Sequence, residues 1–353
     1  LGAACEPAAT ACEDFAAWLD ALPDGRSPRL GRRLWEAKLW HTLDTPLSAS
    51  QLLAAARTRL DEASAEIAEV AAELSGGSPS EATVAATIRR LAADRPDNDT
   101  IVDLARRTMT EATDFVREHA LVSLVDDPLE IATMPEHDRG ISAAYCLPPG
   151  MLETARVPTI YAISPTPSDW SAEKSDSFFA EYNDHMLRNL TVHEAMPGHY
   201  LQLAHARRYR GNTRVRAVRM SGTFVEGWGV YAEELMAVHG FGGLPVRMQQ
   251  LKMRLRMIIN AILDQLIHCE DLGEDEAMDM MTLRGHQSEG EAAGKWRRAL
   301  LSSTQLSTYF VGYTEVAAIA ADRPSGTSEQ AWHDAMLAHG NPAPRHLRAL
   351  LGV

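Results

Sequence analysis

The chain has 353 residues, 45% of them hydrophobic and 23% charged, with a formal net charge of -14. This length and composition describe a globular protein with a core large enough for an enzyme, and they exclude a disordered or fibrous chain. The acidic balance argues against nucleic acid as a partner, because phosphate binding needs a dense basic surface, and no apolar run approaches the roughly 18 residues of a membrane-spanning helix.

The four cysteines, Cys5, Cys12, Cys146 and Cys269, are too scattered for a disulfide framework and lack the CxxC spacing of a zinc site. Leu1-Gly-Ala-Ala-Cys5 faintly resembles the end of a lipoprotein signal, but no apolar stretch precedes it. The expected location is the cytoplasm, with a secreted or lipid-anchored origin left open, as is the oligomeric state.

From Asp14 to Ala120 apolar residues recur at helical spacing, as in Leu52, Ala56, Leu60, Ala63, Ile67 and Val70, which predicts long helices. Breaks are expected at Gly76-Gly77-Ser78-Pro79-Ser80 and at Asp94-Arg95-Pro96-Asp97. Ser80 and Thr110, each followed by Glu-Ala-Thr, are the expected helix caps. From Val122 a run of prolines forbids long helices and short strands fit, chiefly Arg156 to Ser164, where Pro158 predicts an edge strand. An edge strand could pair with an extended substrate, with Tyr161 among the contacts.

Helical periodicity resumes near Ser177 and runs through Gly198, Thr223–His239 and Pro245–Leu272. Further helices are expected over Glu289–Thr304, Gln305–Ala321 and Trp332–Gly340. The fold class is therefore mainly α, with a small sheet at about 140–165 beside the helix that carries the chemistry. Residues 1–120 form an N-terminal helical region and 121–353 a catalytic one, within one continuous globular unit. The arginines at 207, 208, 210, 214, 216 and 219 could meet a substrate carboxylate, although charge runs are usually solvated faces.

The informative segment is Thr191-Val-His-Glu-Ala-Met-Pro-Gly-His-Tyr-Leu-Gln202. In a helical HExxH motif two histidines one turn apart face a zinc ion and the glutamate acts on its water. Here the spacing is six residues. On a regular helix that leaves the side chains about 240° apart, so a plain helix cannot bring both to one metal. Pro197-Gly198 resolves the conflict by breaking the helix and letting the chain bulge. His193 and His199 are thus the candidate ligands, Glu194 the candidate general base, and the helix should be interrupted between them.

A hydrolytic zinc site needs a third ligand and an open position. Glu226 is the best candidate, a carboxylate among Phe224, Val225 and Trp228 that needs a partner if buried. Glu233, two helical turns on, shares its face and could support a ligand. Gln202 is expected in a similar supporting role. Gln305, Tyr309 and Tyr313 fall at successive four-residue steps and, on one helix, would line a face, with the tyrosines stabilising an oxyanion and Gln305 binding substrate. Asp264 and His268 could form a hydrogen-bonded pair, and Arg256, His268 or His286 could contact substrate. Each of these, taken singly, fits a structural role as well.

At these residues the chain resembles a bacterial family catalogued as domain of unknown function 885, regarded as zinc metallopeptidases of the gluzincin type. His193-Glu-Ala-Met-Pro-Gly-His-Tyr-Leu-Gln202 is similar to its HExxPGHxxQ signature, and Phe224-Val-Glu-Gly-Trp-Gly-Val-Tyr-Ala-Glu-Glu-Leu235 to its EGWAxYAEEL block. Arg256, Asp264 and His268 resemble a further pattern on one helix, as does Trp332-His-Asp334 with Gly340-Asn-Pro342. The resemblance implies His193, His199 and Glu226 as ligands of one Zn2+ per chain and Glu194 as general base. The chain departs from the family at Ser303-Thr304-Gln305, where a Pro-Gly-Gln-Ala block is usual, which suggests a changed substrate. The resulting expectation is metal-assisted hydrolysis of a peptide or small amide. The alternatives are metal-dependent chemistry on a small metabolite, and a catalytically silent helical binding protein.

Overall fold

The computed structural model describes residues 2–23, 25–211, 215 and 219–353. The chain is mainly helical, with one small three-stranded sheet. After α1 (Gly2–Asp20), α2 (Arg32–Lys38) continues into a π-helical turn at Leu39–Leu43, and α3 (Ala49–Ser75) and α4 (Glu81–Leu91) follow. The apolar stripe read from the sequence is the buried face of α3, with Leu52, Ala56, Leu60, Ala63 and Ile67 all in the core. Ser80 caps α4 by accepting the Thr83 amide, as expected of a serine at a helix start. Thr110 does not cap. It lies within α5 (Ile101–Glu118), and its hydroxyl bonds back to the Arg106 carbonyl one turn earlier.

The sheet comprises β1 (Leu129–Thr133), β2 (Ala144–Leu147) and β3 (Thr159–Ile163) in the order β1-β3-β2. β3 pairs parallel to β1 and antiparallel to β2, so it is the central strand and not the expected edge. Pro158 sits just before the first paired residue, where its missing amide costs the ladder nothing. The short helices α6 (Ala172–Glu181), α7 (Asp184–Glu194) and α8 (His199–Ala206) come next. Two long ones, α9 (Gly222–Val238) and α10 (Gly243–Cys269), form the centre of the molecule. α11 (Glu274–Asp279), α12 (Glu289–Leu301), α13 (Thr308–Ala321), α14 (Glu329–Leu337) and α15 (Pro344–Leu351) complete the chain.

Two apolar cores meet across this centre. One joins α2, α3 and α4 to α10, α12 and α13, and the other joins α5, the sheet, α7 and α9. The first 120 residues contribute to both. α9 and α13 cross backbone to backbone at Gly227 and Gly312, where a Cβ on Gly312 would stand 2.1 Å from the Thr223 carbonyl oxygen. Asp264 on α10 ties the start of α13 to the first core. Its buried carboxylate accepts Trp35 Nε1, the amides of Thr304 and Ser307, and the Ser307 hydroxyl, at 2.7–3.1 Å. A buried carboxylate with four donors is satisfied without a metal or substrate.

The glycine crossing is testable. Gly312→Ala should cost about 1–3 kcal/mol, read as a lower urea midpoint, because the helices must separate. Gly290→Ala, where an added Cβ meets nothing within 4 Å, should change stability little.

Candidate metal centre

The expected helix interruption is present. α7 ends at Glu194 and α8 begins at His199, with a cis peptide between Met196 and Pro197. The Gly198 amide donates to the Val192 carbonyl at 3.0 Å, closing a turn that spans the six-residue spacing of the motif. A Cβ at Gly198 would lie 1.9 Å from the His193 carbonyl oxygen, so only glycine lets the chain fold back this tightly. Trp228 Nε1 on α9 donates to the Pro197 carbonyl at 2.9 Å and holds the turn against the helix that carries Glu226.

His193, His199 and Glu226 converge as a result. Their ligand atoms lie within 4.8 Å of one another, the one such cluster among the described residues. The Nε2 atoms of His193 and His199 stand 3.6 and 3.7 Å from the same oxygen, Glu226 Oε2. These distances are too long for hydrogen bonds. Tetrahedral zinc with bonds of about 2.1 Å separates its ligand atoms by about 3.4 Å. The residues therefore fit a divalent ion of the zinc type, in donor set as well as in spacing.

A surrounding shell fixes the rings. Glu233 Oε1 accepts His193 Nδ1–H at 2.7 Å, and its other oxygen accepts Asn189 Nδ2 at 2.6 Å. Gln202 Oε1 accepts His199 Nδ1–H at 3.3 Å. In both cases the bond made by Nδ1 turns Nε2 toward Glu226, the arrangement that orients metal-binding histidines generally. Gly229 gives the His193 ring room, since a Cβ there would meet the ring at 2.8 Å. Burial alone would strip the proton from His193, but Glu226 and Glu233 outweigh it and raise its pKa well above the usual value. Burial opposes ionisation of Glu226, yet the two imidazoles hold it well below the carboxylate range.

Glu194 is half-buried and close enough to Cys146 on β2 and Tyr161 on β3 to raise the pKa of each, after burial, which is the larger cause. Its carboxylate takes part in no hydrogen bond among the described residues, whereas Glu233 is consumed by two. Tyr161 was expected to touch substrate. It is fully buried, with its hydroxyl 3.0 Å from Thr191 Oγ1 on α7, and so braces the sheet against the ligand helix.

Several other expected contacts resolve into structure. Arg256 pairs with Glu181 at 3.1 Å and Glu291 at 2.7 Å. His268 and Asp264 are 4.0 Å apart and do not bond. The imidazole instead donates toward the carbonyls of Ala299 and Ser302, and Asp264 holds the loop described above rather than a ligand. Gln305 lies in a turn before α13 and accepts Arg298, so it shares no helical face with Tyr309. The Tyr313 hydroxyl donates to Glu234 at 2.5 Å, while Tyr309 is half-buried against the first core. His286 is partly buried in a left-handed conformation, φ 51°. Arg207 and Arg208 pair with Asp127, and Arg214 and Arg216 lie outside the described residues. Sequence reasoning missed Asn189, whose place one turn before His193 on α7 was its only signal, as well as Trp228 and Gly229.

The profile of a bacterial protein family of unknown function, DUF885, matches residues 2–351. A solved structure of a "putative lipoprotein of unknown function" from Shewanella oneidensis is similar over 99% of this chain and 65% of its own, at 29% identity and TM-score 0.86. A second, of a "putative lipoprotein" from Colwellia psychrerythraea, is similar over 92% of this chain and 57% of its own, at 17% identity and TM-score 0.77. The chain thus spans about two-thirds or less of each. No curated protein matches. Among the described residues no helix is long and apolar enough to cross a membrane.

Gly198→Ala should destabilise the fold by about 1–3 kcal/mol or more and change the Trp228 fluorescence, because the clash is with backbone. An unchanged emission spectrum and melting temperature would contradict the turn described here.

Proposed function

This chain belongs to the DUF885 family of bacterial proteins, and we propose that it is a zinc-dependent hydrolase of peptide or amide bonds. The observation that carries the reading is the convergence of His193, His199 and Glu226 with Glu194 beside them. His193, His199 and Glu226 would hold the ion. Zinc supplies Lewis acidity there, polarising the scissile carbonyl and acidifying water. Glu194 takes a proton from the attacking water and returns it to the leaving nitrogen, a role open to it because no hydrogen bond occupies its carboxylate. Glu233 and Gln202 engage the Nδ1 atoms and so turn each Nε2 toward the ion. Tyr309, one helical turn before the α9–α13 crossing, remains the candidate oxyanion donor, whereas the hydroxyl of Tyr313 is engaged by Glu234.

The free sheet edge beside Glu194 favours an extended substrate. β3 is paired on both sides, so an incoming backbone would lie along β2, whose outer edge has no partner among the described residues. Both similar structures are of proteins described as putative lipoproteins, which favours a lipid-anchored location over the cytoplasm.

Elemental mass spectrometry of zinc-supplied protein should find about one zinc per chain. Glu233→Gln should weaken zinc binding roughly 10- to 100-fold. Glu194→Gln should keep the zinc and lose roughly 100- to 10,000-fold in cleavage of a fluorogenic peptide library. Protein that takes up no zinc, or a Glu194→Gln variant as active as wild type, would overturn the proposal.

A further inference from the structure

Three consecutive side chains of α14, Trp332, His333 and Asp334, bond to different parts of the chain. Trp332 Nε1 donates to the Ile319 carbonyl on α13 at 3.0 Å. His333 is buried, with Nδ1 2.8 Å from the Leu121 carbonyl and Nε2 2.8 Å from the Tyr231 hydroxyl on α9. Asp334 accepts the Ser123 amide at 2.8 Å and the Ser123 hydroxyl at 2.5 Å. The tautomer of His333 follows from its partners. A carbonyl oxygen only accepts, so Nδ1 carries the proton, and Nε2 of the neutral ring accepts the Tyr231 O–H.

These bonds reach the two helices that carry His199 and Glu226. On the α9 side, the His333 ring stands edge-on to Trp228, with centroids 5.8 Å apart, and Tyr231 packs against both rings. Trp228 is the residue whose indole N–H holds the Pro197 carbonyl. On the α8 side, the carbonyl of Ser123 accepts His205 Nε2–H at 2.7 Å. α8 has only eight residues, starting at His199, and His205 is the last but one. The Gly198 turn pins one end of this helix and Ser123 pins the other. A short helix held at its first residue alone would pivot there and carry His199 away from Glu226.

We infer that His333 and Asp334 are positioning residues for the metal centre. By holding Tyr231 and Ser123 to one helix they fix α8 against α9, and with them the gap between His199 and Glu226 that an ion would fill. Ligand distances in metal sites hold to within about 0.2 Å, so a small pivot of α8 is enough to weaken binding. The inference rests on the metal reading of the site and not on hydrolysis.

The test is zinc affinity, read by competition with a chromophoric chelator at a temperature where every variant is folded. Tyr231→Phe, which removes a single hydroxyl, and His333→Phe should each weaken zinc binding about tenfold, the lower end of what losing an outer partner costs. Asp334→Ala should do the same through the α8 arm. The Tyr231→Phe/His333→Phe double variant should bind no more weakly than His333→Phe alone, because both changes break one link. Leu60→Ala, a cavity in the first core on α3, should lower the urea midpoint and leave zinc affinity at the wild-type value. Zinc held equally by wild type, Tyr231→Phe and His333→Phe, or a matching loss of affinity in Leu60→Ala, would overturn this inference alone. A wild type that takes up no zinc would overturn it together with the metal reading.

Discussion

The candidate centre depends on the backbone hydrogen bond from Gly198 to the Val192 carbonyl. Six residues separate the two histidines, a spacing that a continuous helix would turn into opposition. The bond folds the intervening residues into a tight loop, so that α8 starts with His199 already facing His193. Its cost is a site with no space for any side chain at position 198. Trp228 then fastens the loop to α9, which makes the placement of Glu226 and the placement of the histidines a single structural event.

Four carboxylates of this chain show how environment assigns role. Asp264 is buried under four donors and acts as a clamp between the first core and α13. Glu233, equally buried, is divided between Asn189 and His193 and serves orientation. Glu226 faces two imidazole nitrogens at distances suited to a shared ion rather than to hydrogen bonds. Glu194 keeps its carboxylate unbonded beside them, where a base has to be free to accept a proton. The same functional group thus clamps a loop, orients a ring, faces a candidate ion site or stays unbonded, according to its neighbours.

Much of the fold could be read from the chain. The α3 stripe, the breaks near 76–80 and 94–97, the interrupted ligand helix and the small sheet all follow from periodicity and from Gly and Pro placement. The His193, Glu194, His199 and Glu226 set was legible because its spacing conflicts with a helix and Pro197-Gly198 offers the remedy. Glu233 was legible as a residue on the Glu226 face. The polar stripe of α10 misled, since Arg256, Asp264 and His268, spaced at multiples of four residues, look like a site and are instead mostly the cement between packed helices. Periodicity cannot distinguish the two cases, because both place buried polar groups on one face. Pro158 misled about β3 because it lies one residue outside the strand. Gln305 did so because Ser307 and Thr304 are drawn to Asp264, which delays the start of α13.

The most direct measurement on the central claim is zinc K-edge X-ray absorption, or anomalous diffraction, on the zinc-loaded protein. The account predicts one ordered zinc bound by two imidazole nitrogens and one carboxylate oxygen at about 2.0–2.2 Å, located between α7, α8 and α9. Zinc bound through sulfur, or ordered elsewhere with His193, His199 and Glu226 left unliganded, would contradict it.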